Sequence, residues 1–228
     1  YLGMPLDIHG GGADLAFPHH ENEIAQSEAA CGCTFSNYWM HGGMLQINSE
    51  KMSKSLGNFL LLRDVLKECD ARVLRMLMMQ THYRSPLDFS KERLDEAGAS
   101  LGRLCCCIDR MDWLASHPDE NAPAFVPETE GFTFEKAVKN VREAFAASMD
   151  DDFNTAGALG AIFGFVGEVN AALGTATFGP ADVANLESVR DVIIELMGVL
   201  GIDVAPAKAE VAYPAAVVDL SLIHISEP

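Results

Sequence analysis

Hydrophobic positions along this chain follow two different periods. Near the start they come in short strand-like runs. Leu6-Asp7-Ile8-His9 alternates and then meets three glycines, Tyr38-Trp39 lies in a second apolar run where Trp39 reads as packing, and residues 44–47 form a third. Between the first two runs, residues 24–30 read as a helix, with Pro18 suited to its first turn. From residue 63 onward the spacing becomes helical. Residues 63–69 and 70–80 read as two helices, Asp70 capping the second, whose inward stripe is Leu74, Leu77 and Met78. Ser90 opens a long helix towards Ala115 with Leu94, Leu101, Leu104 and Ile108 on one side. Another follows from Thr133 (Phe134, Val138, Val141, Phe145), and a third buries Leu159, Ile162, Phe163, Val166 and Val169. Asp182 begins the last clear helix, with Leu186, Val189, Ile193, Leu196, Met197 and Leu200 inward and Gly201 as its stop.

Punctuation divides these elements. Residues 116–131 hold three prolines and four acids and read as a linker or exposed excursion. The last three helices can pack as a bundle, and Gly157, Gly160, Gly164 and Gly167 are spaced to allow close helix contact. Asp150-Asp151-Asp152 invites a metal reading, but acids just before Asn154-Thr155 are more simply a charged cap on the next helix. Beyond Ile202 no firm element is expected.

Composition narrows the function classes. With 228 residues, 49% of them hydrophobic, the chain can bury a real core in one or two domains. No run of roughly 18 apolar residues stands out, and the first residues carry no export signal, so no membrane association is expected. A start at Tyr1 reads as a beginning inside a larger protein. The net charge of -17 and pI near 4.6 argue against a general nucleic-acid binder. Any such contact must be local, on cations of the first half such as Lys51, Lys54, Arg72, Arg75, Arg84, Lys91, Arg93 and Arg103. The six cysteines read as free thiols of a reducing compartment: Cys105-Cys106-Cys107 cannot share one helix face, and Cys31-Gly32-Cys33 lacks a paired second motif.

Three stretches carry candidate chemistry. Gly10-Gly11-Gly12 at a strand end lets a flat ligand approach the backbone, and Asp14 could accept from an amine or a ribose hydroxyl; a plain turn with a capping Asp remains the alternative. His19 and Glu23, four apart on a helix, can bring an imidazole nitrogen and a carboxylate oxygen to one metal ion, with His20 pointing elsewhere; a surface pair is the alternative. Lys51-Met52-Ser53-Lys54-Ser55 sets two ammonium groups three apart on a small loop, able to follow phosphate charge as it moves; a solvated lysine turn is the alternative.

These stretches together resemble the cysteinyl-tRNA synthetases. The run from Asp7 through Ser27 matches that family almost residue for residue, Asn37-Tyr38-Trp39-Met40-His41-Gly42-Gly43 and residues 51–59 extend it, and looser similarity continues through 70–75, 82–90 and 149–155. The resemblance implies an α/β fold: the C-terminal part of a Rossmann-like class I synthetase catalytic domain (residues 1–60, with the lysine loop), followed by an all-α helical bundle. It further implies a helical stem-contact connection over 61–115, a linker over 116–132, a bundle of the tRNA-binding region over 133–202 and an irregular stretch over 203–219. Residues 220–228 resemble translated sequencing adapter and are set aside.

By the same resemblance the implied activity is that of a cysteine–tRNA ligase, which activates cysteine with ATP and Mg2+ and transfers it to tRNA(Cys) in the cytoplasm, as a monomer. Lys51 and Lys54 are implied to be catalytic. Gly10, Gly11, Gly12, Asp14 and Lys54 would contact ATP or the adenylate, and His9, His20 and His41 would line the amino-acid pocket. One Zn2+ would be held by His19 and Glu23 with two cysteines from outside this chain. The family's His-x-Gly-His motif is absent here, so this stretch alone is expected to be inactive. Two rivals share some of these signs: a ligase joining cysteine to an aminosugar in mycothiol synthesis, which typically lacks the residue matching Glu23, and a non-catalytic tRNA-binding paralogue.

Overall fold

The computed structural model describes residues 2–47, 50, 51, 61–123, 125–127, 130–174 and 176–205. The lysine loop beyond Lys51, including Lys54, and the irregular and adapter-like residues 206–228 lie outside that set.

The first part is a β–α–β unit. Strands β1 (Leu6–Gly12) and β2 (Ser36–Gly42) pair in parallel, joined through tight turns over residues 13–20 and helix α1 (Glu21–Cys31). Parallel strands require such a crossover. Their register sets His9 beside Trp39 and Gly11 beside His41. Pro18 does not open α1 as expected. It follows a cis peptide within the preceding turn, and α1 begins three residues later. Gly32, at φ 66°, ends α1 in the left-handed conformation that a side chain would disfavour.

A second sheet follows. Strand β3 (Leu45–Ile47) is antiparallel to β4 (Glu50–Lys51) and parallel to β5 (Leu87–Phe89), which arrives after helices α2 (Leu62–Glu68) and α3 (Ala71–Met79). Asp70 caps α3 by accepting from the Arg72 amide, as its position predicted. The inward stripe of α3 differs from the expected one: Met76 and Leu77 are buried, while Met78 is 52% exposed and Leu74 only half-buried. Nearly every position of this short helix is apolar, so the face that packs on helix α4 (Lys91–Ser116) was decided by tertiary contact.

The remainder is helical. Ser90 caps α4 and Thr133 caps α5 (Phe134–Asp150), each side chain accepting from an amide of the first turn. Helices α6 (Thr155–Leu173) and α7 (Val183–Val199) complete the array, with α5 packed on α6 and α7, and α4 on α7. All six residues predicted inward on the last helix are buried. On α6, Phe165 is buried and Phe163 only partly so. Of its four spaced glycines, Gly157 does come close to α5, an added Cβ lying 3.1 Å from Ser148 Oγ, whereas Gly160, Gly164 and Gly167 are exposed, with nothing within 4 Å of an added Cβ. By length and hydropathy α6 could cross a membrane, but it packs its apolar face on α5. The proline-rich excursion is also pinned, since the Phe125 ring packs at a tilt against Phe178, 4.8 Å between centroids, and the Asp119 amide donates to the Phe178 carbonyl at 2.9 Å.

Candidate active site

Side chains alternate across a strand, so His9 and Gly11 share one face of β1 while Trp39 and His41 share the matching face of β2. That face is where the histidines gather. His20, at the start of α1, folds back over it, and a nitrogen of its ring lies 2.8 Å from His41 Nε2. Gly11 makes room for this: an added Cβ would lie 2.8 Å from His20 Cε1. His20 is 3% exposed, and burial first, then the neighbouring His41, hold its pKa below the ordinary histidine value, so the neutral ring is favoured.

Glu23, in the first turn of α1, faces two histidines. One carboxylate oxygen lies 2.8 Å from His9 Nε2 and the other 3.6 Å from His19 Nε2. The latter separation is close to the ~3.4 Å between two ligand atoms of a tetrahedral zinc site with bonds near 2.1 Å. His19 and Glu23 are therefore spaced as would be two ligands of the ion that the resemblance implied. His20 does not point away from this region: His9, His20 and Glu23 offer ligand atoms within 4.8 Å of one another. His19 is the most open of the set, with its side chain 60% exposed. Among the described residues, no cysteine belongs to such a cluster, and Cys31 and Cys33 are exposed at the end of α1.

Trp39 packs, as expected, but half-buried and against the histidines, not in an apolar core. It forms the floor of the histidine cluster, stacked on His41 at 5.9 Å and edge-on to His9 at 4.9 Å, with His20 at 5.2 Å. The usable signal was its spacing two residues from His41 in one strand. The glycine run is close-fitted as well. Gly10 lies against the Met40 carbonyl and Gly12 against Asp14, whose carboxylate is exposed. Lys51 is placed only by its backbone, paired with Gln46 at the edge of the second sheet. The structure thus gathers His9, His19, His20, His41 and Glu23, and sets Gly10, Gly11, Gly12 and Asp14 along the same strand end.

Comparisons with known proteins address the family and the fold. Residues 1–99 match the family model for the class I (C) tRNA synthetase catalytic domain, and residues 144–205 match that of the DALR domain. The cysteine–tRNA ligase of Geobacter metallireducens is 49% identical over 209 residues, covering 92% of this chain and 42% of its own length. That of Brevibacillus brevis is 44% identical over 205 residues, covering 90% and 42%. The chain therefore spans less than half the length of these relatives. Among solved structures, Mycobacterium tuberculosis methionyl-tRNA synthetase in complex with methionyl-adenylate matches 86% of this chain and 41% of its own, with TM-score 0.63 at 18% identity. The LeuRS–tRNA–LeuAMS ternary complex of Agrobacterium radiobacter K84 matches with TM-score 0.59 at 20% identity, over 86% and 28%. At these identities the structural matches speak for the fold alone.

Proposed function

Since the chain belongs to the cysteine–tRNA ligase family of class I aminoacyl-tRNA synthetases, we propose that it forms part of an enzyme that activates cysteine with ATP and passes it to tRNA(Cys). The observation that carries this reading is the placement of Glu23 between His9 and His19 beneath the glycine end of β1. His19 and Glu23 would hold Zn2+, with further ligands from outside this chain. Bound there, the ion supplies a Lewis acid that prefers thiolate over hydroxyl, the basis for separating cysteine from serine.

The chain's own residues have distinct tasks in this scheme. His9 donates to the Glu23 carboxylate and fixes its orientation, the kind of support a ligand carboxylate requires. His20 and His41, linked to each other over Trp39, line the amino-acid pocket with rings that can hold or pass a proton at nitrogen. The bare backbone of Gly10, Gly11 and Gly12 receives the adenylate, with Asp14 accepting from its amine or ribose. Lys51 and Lys54 follow the triphosphate of Mg2+-bound ATP as cysteine attacks the α-phosphate and pyrophosphate leaves, and the terminal ribose hydroxyl of the tRNA then attacks the activated carbonyl. The enzyme works in the cytoplasm as a monomer.

The test is cysteine-dependent ATP–pyrophosphate exchange by the full-length polypeptide, followed by charging of tRNA in the same preparation. Exchange with charging is expected. Exchange without charging, but with transfer to an aminosugar, would reassign the chain to the mycothiol-type ligase, and a folded, zinc-loaded protein without exchange would make it a binding paralogue. Within the ligase, Glu23→Ala should lower zinc content and discrimination against serine, and Lys54→Ala should slow adenylation far more than it weakens cysteine binding. Unchanged zinc content with unchanged selectivity would remove Glu23 from the site.

A further inference from the structure

The acidic run at the α5–α6 junction finds a use that a helix cap does not explain. Asn154, not an aspartate, caps α6, its side chain accepting from the Gly157 amide at 2.8 Å. Asp152 instead turns towards the segment between α3 and β5. Its carboxylate accepts from the Tyr83 hydroxyl at 2.7 Å and from Arg84 Nη2 at 3.1 Å, with Arg84 Nε also donating to it and His82 Nε2 at 3.9 Å. Two donors on the fixed fork of one guanidinium, plus a phenol, make a contact with a single preferred geometry.

Both partners of this contact are rigidly mounted. Asp152 and Phe153 have φ of 55° and 53°, a left-handed conformation that such residues rarely adopt, here twice in succession. Backbone bonds from Phe153 to Met149 and from Asn154 to Ser148 tie that turn to α5. On the other side, the Tyr83 carbonyl accepts from the Gly43 amide at 2.7 Å and the Leu87 amide donates to Met44. Gly43 is packed so closely that an added Cβ would lie 2.2 Å from the Ser85 carbonyl oxygen. His41, of the histidine cluster, is two residues before Gly43, and β5 pairs with β3, whose hairpin partner β4 carries Lys51. Segment 82–89 therefore braces both the exit of β2 and the strand leading to the lysine loop.

We propose that Asp152 is a positioning residue for aminoacyl transfer. Through Tyr83 and Arg84 it fixes the helical region to the segment that braces the histidine cluster, so that a tRNA held by the helices presents its terminal ribose at the adenylate. The proposal rests on the ligase reading above. It separates the two half-reactions: adenylation needs the sheet site alone, whereas transfer needs the helices held at one orientation to it.

The test compares Asp152→Asn, Arg84→Gln and the double variant in the full-length polypeptide. Single-turnover transfer from preformed cysteinyl-adenylate should slow about tenfold in each, while exchange stays within about twofold in all three and half-saturation by tRNA stays within about twofold in Asp152→Asn, as expected when orientation and not binding is lost. The double variant should be no slower than the slower single one, because both remove the same contact. If Asp152→Asn fails to fold, Arg84→Gln reads the same contact without touching the strained turn. Transfer unchanged in every variant, or exchange falling in parallel with transfer, would overturn the proposal. Absence of cysteine-dependent exchange in the unsubstituted protein would remove the ligase reading, and this inference with it.

Discussion

The α/β part and the helical part of this molecule bury different things. Every fully buried hydrophobic residue among those described lies at Met76 or beyond, spread over α3 to α7 and the segments that join and follow them. Among the described residues before Met76, only His20 and Ser36 are buried, and both are polar. Ile8, Phe17 and Tyr38 stand 55%, 79% and 71% exposed around the two-stranded sheet. Parallel strands normally need cover on both faces, and two strands alone carry little stability. The α/β part therefore spends its interior on chemistry, while the helices provide the core that makes the chain a folded body.

The sharpest way to break this contrast is to truncate one large side chain in each part. Ile108→Ala, fully buried on α4, should cost about 2–5 kcal/mol of unfolding free energy in urea titrations of this chain. Tyr38→Ala should cost within about 0.5 kcal/mol. A cost for Tyr38→Ala as large as that for Ile108→Ala would mean that the sheet shares the cooperative core. The converse substitution is Gly11→Ala, whose Cβ would press on the His20 ring. It should lower cysteine-dependent exchange by about ten- to a hundredfold, the range for a misplaced site group. The helical core is remote from it, so the melting temperature should barely move.

How far the sequence could be read follows the same division. Helix starts are local, and those at Asp70, Ser90 and Thr133 were found where the pattern put them, Asp70 as the cap it was read to be. The stripe of α7 was legible because polar residues flank it. Met76 and Met78 were not separable because they flank Leu77 on either side of the broad apolar face opposite Arg72 and Arg75, and only packing against α4 chose between them. At the site, the glycines and the His19–Glu23 spacing were visible from local pattern, whereas Trp39 entered the cluster through pairing of β1 with β2. Likewise, Asp152 meets residues far back in the chain, a contact that no window around the acidic run contains. Both are tertiary events, and both concern residues that connect one element to another.

A smaller test distinguishes the cap of α6 from the acids beside it. Asn154→Ala removes the acceptor of the Gly157 amide and should cost about 1 kcal/mol, measured by thermal or urea unfolding. Asp151→Ala, exposed and outside that bond, should stay within about 0.5 kcal/mol. Equal costs at the two positions would return the whole acidic run to the role of a helix cap.

The subtlest effect concerns the joint between the two parts. Arg84 first, and Tyr83 next, hold the Asp152 carboxyl at about 2, down from its ordinary value of 3.8. A carboxylate whose folded pKa is depressed adds stability that is fully present above the unfolded value and is lost as pH falls through the folded one. The window for this contact therefore lies between 3.8 and about 2. Carbon-detected NMR titration should place the Asp152 midpoint near the lower end in the unsubstituted chain and move it towards 3.8 in Arg84→Gln, short of it by what the Tyr83 hydroxyl contributes. A midpoint unmoved by that substitution would assign the depression to Tyr83. The joint would then rest on a phenol hydrogen bond in place of an ion pair, and transfer should depend on Tyr83→Phe more than on Arg84→Gln.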